Sequence, residues 1–342
     1  MHSRDPAMTV GTGAAIFGCE GTVLSRDEAA FFRDADPFGF ILFARNVETP
    51  DQLRRLTAAL REAVGRDAPV FIDQEGGRVQ RLRAPHWAEW LPPRDAVQMA
   101  GAGAARMMWL RARLIAAELR AVGIDGNCAP CLDIATEVTH PFLKNRCYGD
   151  DLATVVAMGR ATAEGHLAGG VLPVIKHMPG HGRANADTHL HLPTVTDNRD
   201  TLEAVDFAAF RALADVPLAM TAHIVFSAYD DRPATCSPVM MQVMRDQIGY
   251  HGLIMTDDLN MEALTGTAPE RAARAMAAGC DLALYCKGSV AEMQAVAAAA
   301  GAMGPDTLAR AQAALSARRT PEEADLAALR AEHDGLLGAG HV

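Results

Sequence analysis

Residues 171–189 read VLPVIKHMPGHGRANADTH, an apolar run that breaks into a segment crowded with imidazole, charge and glycine. Val171 to Ile175 is too short for a helix and apolar throughout, as a strand covered on both faces must be. Pro179, Gly180 and Gly182 then punctuate the chain too densely for helix or strand, so a loop follows, with Lys176 and His177 at the strand's carboxyl end. In parallel α/β proteins the loops leaving the carboxyl ends of the strands hold the ligand. This stretch therefore predicts a parallel sheet and the end of it where chemistry occurs.

Working outward, short apolar runs recur at Ala14 to Phe17, Gly39 to Phe43, Val70 to Ile72, Asn127 to Ile134, Leu218 to Thr221, Leu253 to Met255 and Leu282 to Tyr285. With Val171 to Ile175 they make eight candidate strands. Segments rich in Ala, Leu, Arg and Glu lie between most of them, and Gln52 to Val64, Ala105 to Ala121, Leu152 to Leu167 and Leu202 to Ala212 read as helices. Eight strand–helix units predict an α/β fold, a (β/α)8 TIM-type barrel, for which a doubly wound open sheet is the rival. No low-complexity linker divides the chain. We expect a single domain over residues 9–342, with the barrel at about 12–302 and a C-terminal helical extension at about 303–342. Within that extension Pro321 to Leu336 reads as a terminal helix that straps or faces solvent and carries no chemistry. Residues 1–8 read as an appended or unstructured start and are kept out of the fold argument.

Apolar residues make up 49% and charged residues 22% of the 342, a globular composition that excludes disordered and fibrous classes. Acidic residues outnumber basic ones by 42 to 32 and no basic run occurs, which argues against nucleic-acid and anionic-membrane partners. Seven cysteines scattered through apolar stretches predict buried thiols rather than disulfides, and cytoplasm as the compartment. Cys128 and Cys131 form a CxxC without a second pair, so packing is the expected role.

Charged groups fall after several strands: Asp73 and Glu75, Asp133, Lys176 with His177, His223, and Asp257 with Asp258. Any one of them alone would cap a helix, but together they converge on one barrel mouth. The carboxylates at 257 and 258 point to opposite sides if the strand continues, so one should face the mouth as nucleophile, general base or metal ligand. Asp187 and His189 stand two apart in a Gly-rich loop, where the acid can orient the ring and favour its protonated form. His177 and His181 have zinc-like spacing, but Pro179 and Gly180 break any helix between them and no HExxH occurs, so no metal is expected. GTGAA near residue 11 and DQEGGR near residue 73 lack phosphate-loop spacing.

With DQEGGRVQRLR at 73–83, CAPCLDI at 128–134, KHMPGHG at 176–182, DTHLHLP at 187–193 and TDDLNMEAL at 256–264, the chain resembles the family 3 glycoside hydrolases. The likeness is specifically to the single-domain bacterial β-N-acetylhexosaminidases of cell-wall recycling, and it spans roughly residues 12–300. It implies a retaining double displacement with Asp257 as nucleophile, and a histidine acid/base with its aspartate at His189 and Asp187. It further implies that Asp73, Arg81, Arg146, Lys176 and His177 hold the terminal GlcNAc. The implied substrate is GlcNAc linked β-1,4 to 1,6-anhydro-N-acetylmuramic acid, with or without peptide. The resemblance implies no cofactor and no metal, and a monomer is expected. Met178, Cys128, Cys131 and Cys147 depart from the family's usual residues as packing exchanges, and Lys287 adds a cation after the eighth strand. A related exo-glycosidase or glycoside phosphorylase, and a non-catalytic sugar-binding protein, are the competing readings.

Overall fold

The computed structural model describes residues 9–185, 188 and 191–339. Eight strands form its centre: β1 (Gly13–Gly18), β2 (Pro37–Leu42), β3 (Val70–Ile72), β4 (Gly126–Asn127), β5 (Leu172–Met178), β6 (Leu218–Thr221), β7 (Leu253–Met255) and β8 (Ala283–Tyr285). They pair in parallel in the order β7-β6-β5-β4-β3-β2-β1-β8. The two ends then meet: Met255 bridges Leu282, and the Thr256 N–H donates to the Leu282 carbonyl at 3.0 Å. A sheet that returns to its own first edge is a barrel, so the open-sheet alternative is excluded.

The continuous apolar runs follow from burial on both strand faces. Ala14, Ile16, Phe71, Leu172, Val174, Leu218, Met220, Leu253, Met255, Leu282 and Leu284 pack together inside the barrel. Their neighbours Ala15, Phe17, Val70, Ile72, Ile175, Ala219, Ile254 and Ala283 pack outward against the helices. Each strand thus alternates between two cores. Helix Pro305–Ser316 presents Ala311, Ala314 and Leu315 to the interior cluster and closes the amino-terminal end. The opposite end stays open.

The fourth strand is shorter than its apolar run. Pairing covers only Gly126–Asn127, because Pro130 has no N–H to donate. Contact with β5 continues through a Cys131–Lys176 bridge and a Leu132 N–H bond to the Lys176 carbonyl at 2.7 Å. The expected helix at 202–212 is a π turn, Leu202–Asp206, followed by Phe207–Ala212. The last helix runs Leu326–Ala339 rather than from Pro321, because the Asp325 carboxylate accepts the Ala327 and Ala328 N–H groups at 3.0 Å and sets its start. It acts as a strap: Arg330 lies over Trp90 at 4.4 Å, and Arg106 forks onto Glu332 at 2.7 and 2.8 Å. No helix among the described residues is long and apolar enough to cross a membrane.

Candidate active site

A cleft of about 300 Å³ opens at the carboxyl ends of the strands. Its floor is the top layer of the barrel interior, Ile41, Met220, Leu284 and Cys286, and its walls are the strand-end charges. Asp73, Arg81, Arg146, Lys176, His177 and Asp257 all line it.

On one side stands an ion network. Lys176 Nζ lies 3.0 Å from Asp73 and 2.5 Å from Glu75, and Arg81 meets the other Asp73 oxygen at 3.0 Å. Arg146 grips Glu75 with two N–H groups, at 2.8 and 3.0 Å, in the bidentate geometry that carboxylates favour. Burial alone would raise both carboxyl pKa values. The opposing charges of Lys176, Arg81 and Arg146 prevail, holding Asp73 well below the usual range and Glu75 at about 2. Burial likewise disfavours the Lys176 ammonium, and Asp73 and Glu75 reverse that to raise it well above its ordinary value. The network is therefore fully charged, three cations against two carboxylates. Isolated buried charge is costly, so these groups are fixed in place by their mutual pairing.

Behind the floor sits Asp133, completely buried. Its Oδ1 accepts the backbone N–H of His181 at 2.7 Å and of His177 at 3.2 Å, and its Oδ2 faces His177 Nδ1 at 2.7 Å. The imidazole proton consequently belongs on Nδ1. Nε2 is left to accept from Arg146, 3.4 Å away. Lys176 and His177 are joined by a cis peptide. The rings of His177 and His181 meet edge to face with centroids 5.4 Å apart, so the loop unites what helical spacing could not. Burial, with His177 and Arg146 nearby, lowers His181 to about 4.

Asp257 follows β7 and stands half-buried at the mouth. Burial would raise its carboxyl, but His177 and His223 hold it below the ordinary value. Asp258 is raised by burial despite N–H bonds from Asn260 at 3.0 Å and Cys286 at 3.2 Å. Adjacent carboxylates with pKa values pushed apart are suited to different tasks, and Asp257 is the one whose ionised form is favoured. Both border the cleft, contrary to simple strand alternation, because regular pairing stops at Met255 and the chain turns.

The sequence counted Glu75, Asp133 and His223 among the charges converging on the mouth but gave them no role. Glu75 and Asp133 lie behind the lining residues as anchors. His223 hydrogen-bonds Thr235 at 2.7 Å and the Asp258 carbonyl at 3.1 Å, which fixes the turn carrying Asp257 and Asp258. Arg78, over Phe142 at 3.4 Å, forms the rim, and nothing in its sequence context signalled that. Lys287 is exposed and does not line the cleft; its carbonyl accepts from Asn260 at 2.8 Å. All seven cysteines are buried and free.

Asp187 and His189 lie outside the described residues. Thr188, between them in sequence, does border the cleft, with its hydroxyl 3.2 Å from His181 Nε2. The base of that loop is anchored by Arg183, which contacts Asp206 at 2.6 Å and Asp197 at 2.8 Å.

The model for the glycosyl hydrolase family 3 N terminal domain matches residues 22–319. The chain belongs to this family. Among relatives of this family 3 chain, a β-hexosaminidase of Alkalilimnicola ehrlichii is 39% identical over 286 residues, covering 80% of each chain. One from Methylococcus capsulatus is 37% identical over 277 residues, covering 79% of this chain and 82% of that one. The crystal structure of NagZ from Neisseria gonorrhoeae with N-trifluoroacetyl-D-glucosamine superposes with a TM-score of 0.85 at 28% identity, covering 97% of this chain and 99% of that one. A family 3 β-N-acetylglucosaminidase from Paenibacillus gives 0.82 at 30% identity, covering 96% of this chain and 66% of that one.

Proposed function

We propose that this chain, a β-N-acetylhexosaminidase of glycoside hydrolase family 3, removes terminal GlcNAc by double displacement with Asp257 as the nucleophile. The observation that carries the reading is an ionised Asp257 facing a cleft whose opposite wall is a pre-paired array of cations and carboxylates. Asp257 attacks the anomeric carbon while the bond to the leaving oxygen breaks, forming a glycosyl ester. Water then attacks that carbon and returns the carboxylate. His189, held by Asp187, gives a proton to the departing oxygen and, as neutral imidazole, takes one from the water. Asp73 accepts sugar hydroxyls while Arg81, Arg146, Lys176 and His177 bind hydroxyl and N-acetyl oxygens.

For the aglycone we propose 1,6-anhydro-N-acetylmuramic acid, with or without its peptide, cleaved in the cytoplasm by a monomer. The positive charge of Arg78 at the rim supports an aglycone bearing a carboxylate.

The test is hydrolysis of 4-nitrophenyl β-N-acetylglucosaminide against the β-glucoside. Asp257→Ala should abolish release without changing circular dichroism, and substantial residual turnover would remove Asp257 from the nucleophile's role. His189→Ala should slow substrates with poor leaving groups far more than aryl glycosides; equal losses would refute the acid assignment. Stimulation by phosphate would move the reading to a phosphorylase, and tight sugar binding without turnover to a binding protein.

A further inference from the structure

Three potential metal ligands of different chemistry meet behind His177. Cys131 Sγ, an Asp133 oxygen and a His177 ring nitrogen all lie within 4.8 Å of one another, and all three residues are buried. Cys131 Sγ is 3.2 Å from Asp133 Oδ2, which is 2.7 Å from His177 Nδ1. Cys147 packs in the same small cluster, its thiol against that of Cys131. The ordinary reading of such a group is an aspartate orienting a histidine beside a packed thiol. Two thiols, a carboxylate and an imidazole are also the donor set that zinc selects.

The distances fit a small expansion of an existing cage. Tetrahedral zinc with normal bond lengths sets its nitrogen and oxygen ligands about 3.4 Å apart and its sulfur and oxygen ligands about 3.6 Å apart. The present pairs would have to open by about 0.7 and about 0.4 Å, which side-chain rotation supplies. We propose that Cys131, Asp133 and His177 Nδ1, with Cys147 as the fourth donor, form an inhibitory zinc site that switches the hydrolase off. The inference rests on the reading of His177 as a sugar-contacting residue.

The coupling to the cleft runs through the His177 ring. Nδ1 now carries the proton that faces Asp133, and Nε2 accepts from Arg146 at 3.4 Å. Zinc on Nδ1 needs that lone pair, so the ring proton moves to Nε2, and the Cys131 and Cys147 thiol protons leave to solvent as the two zinc–sulfur bonds form. Two N–H donors then confront each other between His177 and Arg146. The ring turns away, and one wall of the sugar subsite is lost. The Asp133 carboxylate and the two thiolates outweigh the ion's two charges by one, and Arg146 beside His177 offsets the remainder. Entry is through the cleft, since His177 lines it and Asp133 lies directly behind.

The experiment measures hydrolysis of 4-nitrophenyl β-N-acetylglucosaminide by the full chain against free zinc, for wild type, Cys131→Val and Cys147→Ala. Zinc should inhibit wild type and EDTA should restore it. Cys131→Val should keep the zinc-free rate but need at least about tenfold more zinc for half inhibition, since loss of even an outer-shell partner costs that much. Cobalt added to wild type should develop thiolate-to-metal charge-transfer absorption that Cys131→Val lacks. Equal zinc sensitivity in wild type and Cys131→Val would overturn the proposal, placing the ion on the cleft's own carboxylates. Absence of a thiolate band in the unaltered chain overturns it without recourse to any variant. Failure of the hydrolase reading is separable, because it shows as no turnover before zinc is added and leaves the cobalt spectrum informative.

Discussion

Replacing Glu75 by glutamine removes one charge from a side chain that is 2% exposed, while keeping its shape. Lys176 and Arg146 lose a shared counter-ion, and the new amide turns an N–H₂ toward groups that only donate. Breaking a buried ion pair by neutralising one partner costs about 3–5 kcal/mol. The lowered carboxyl of Glu75 points the same way: a fall in its pKa from 4.5 to about 2 on folding corresponds to about 3 kcal/mol. Because burial leaves little water at the site, that figure needs no large discount for screening. With an unfolding entropy of about 2.1 cal/mol/K per residue, a chain of 342 residues shifts by about 1.4 °C per kcal/mol, so the melting temperature should fall by about 4–7 °C.

The sign of the pH dependence follows from the lowered carboxyl. Unfolded chains bind the Glu75 proton more readily, so the contribution is complete above pH 4.5 and disappears as pH falls toward about 2. The gap between wild type and Glu75→Gln should therefore be widest at pH 7 and narrow in acid, as followed by thermal or urea unfolding with circular dichroism. A loss below about 1 kcal/mol at pH 7 would refute the reasoning, for it is the value of an exposed pair. It would mean that water reaches Lys176 and Arg146.

Asp133→Asn should turn an amide N–H toward His177 Nδ1 and weaken three bonds that hold the two histidines. Loss of about 1.5–3 kcal/mol of charge-assisted bonding would cut kcat/KM roughly tenfold to hundredfold, and an unchanged kcat/KM would dismiss Asp133 as a positioning residue. Gly182→Ala places a methyl 1.8 Å from the Ile134 carbonyl oxygen, so the backbone must move. A cost of at least about 1–3 kcal/mol in thermal unfolding is expected, with a fall in kcat because Gly182 sits at the base of the loop bearing Asp187 and His189. A variant as stable and active as wild type would show that the loop base tolerates displacement.

The barrel was legible because both strand faces are buried, which turns each strand into an uninterrupted apolar word such as LIM or LPVI. Where a run mixed strand and irregular chain, as in NCAPCLDI, hydrophobicity could not show where pairing ends; the missing N–H of Pro130 decides that. The start of the last helix depended on a single carboxylate, Asp325, and a smooth apolar pattern around 202–212 concealed a π turn. Strand-end position was enough to place Asp73, Lys176, His177 and Asp257 at the mouth, where they line the cleft. Arg81 and Arg146 were placed only by resemblance, since both sit beyond regular strands. Glu75 and Arg146 are 71 residues apart, and nothing local records that they pair. Arg78 becomes a rim residue only when the ribbon of Gln74–Gly76 and Val79–Gln80 folds over toward Phe142.

The barrel closes by laying β8 along β1, with Ala15, Ile16 and Phe17 opposite Ala283, Leu284 and Tyr285. During synthesis from the amino terminus, the bonding edge of β1 stays bare until some 270 further residues have emerged. An unpaired apolar edge is a template for pairing with the wrong chain. Closure joins strands far apart in sequence, a non-local contact of the kind that slows folding. The mouth inherits this order: Asp73 and Lys176 are made early, but the strand carrying Asp257 is locked only when β8 arrives, so catalysis and escape from aggregation begin together.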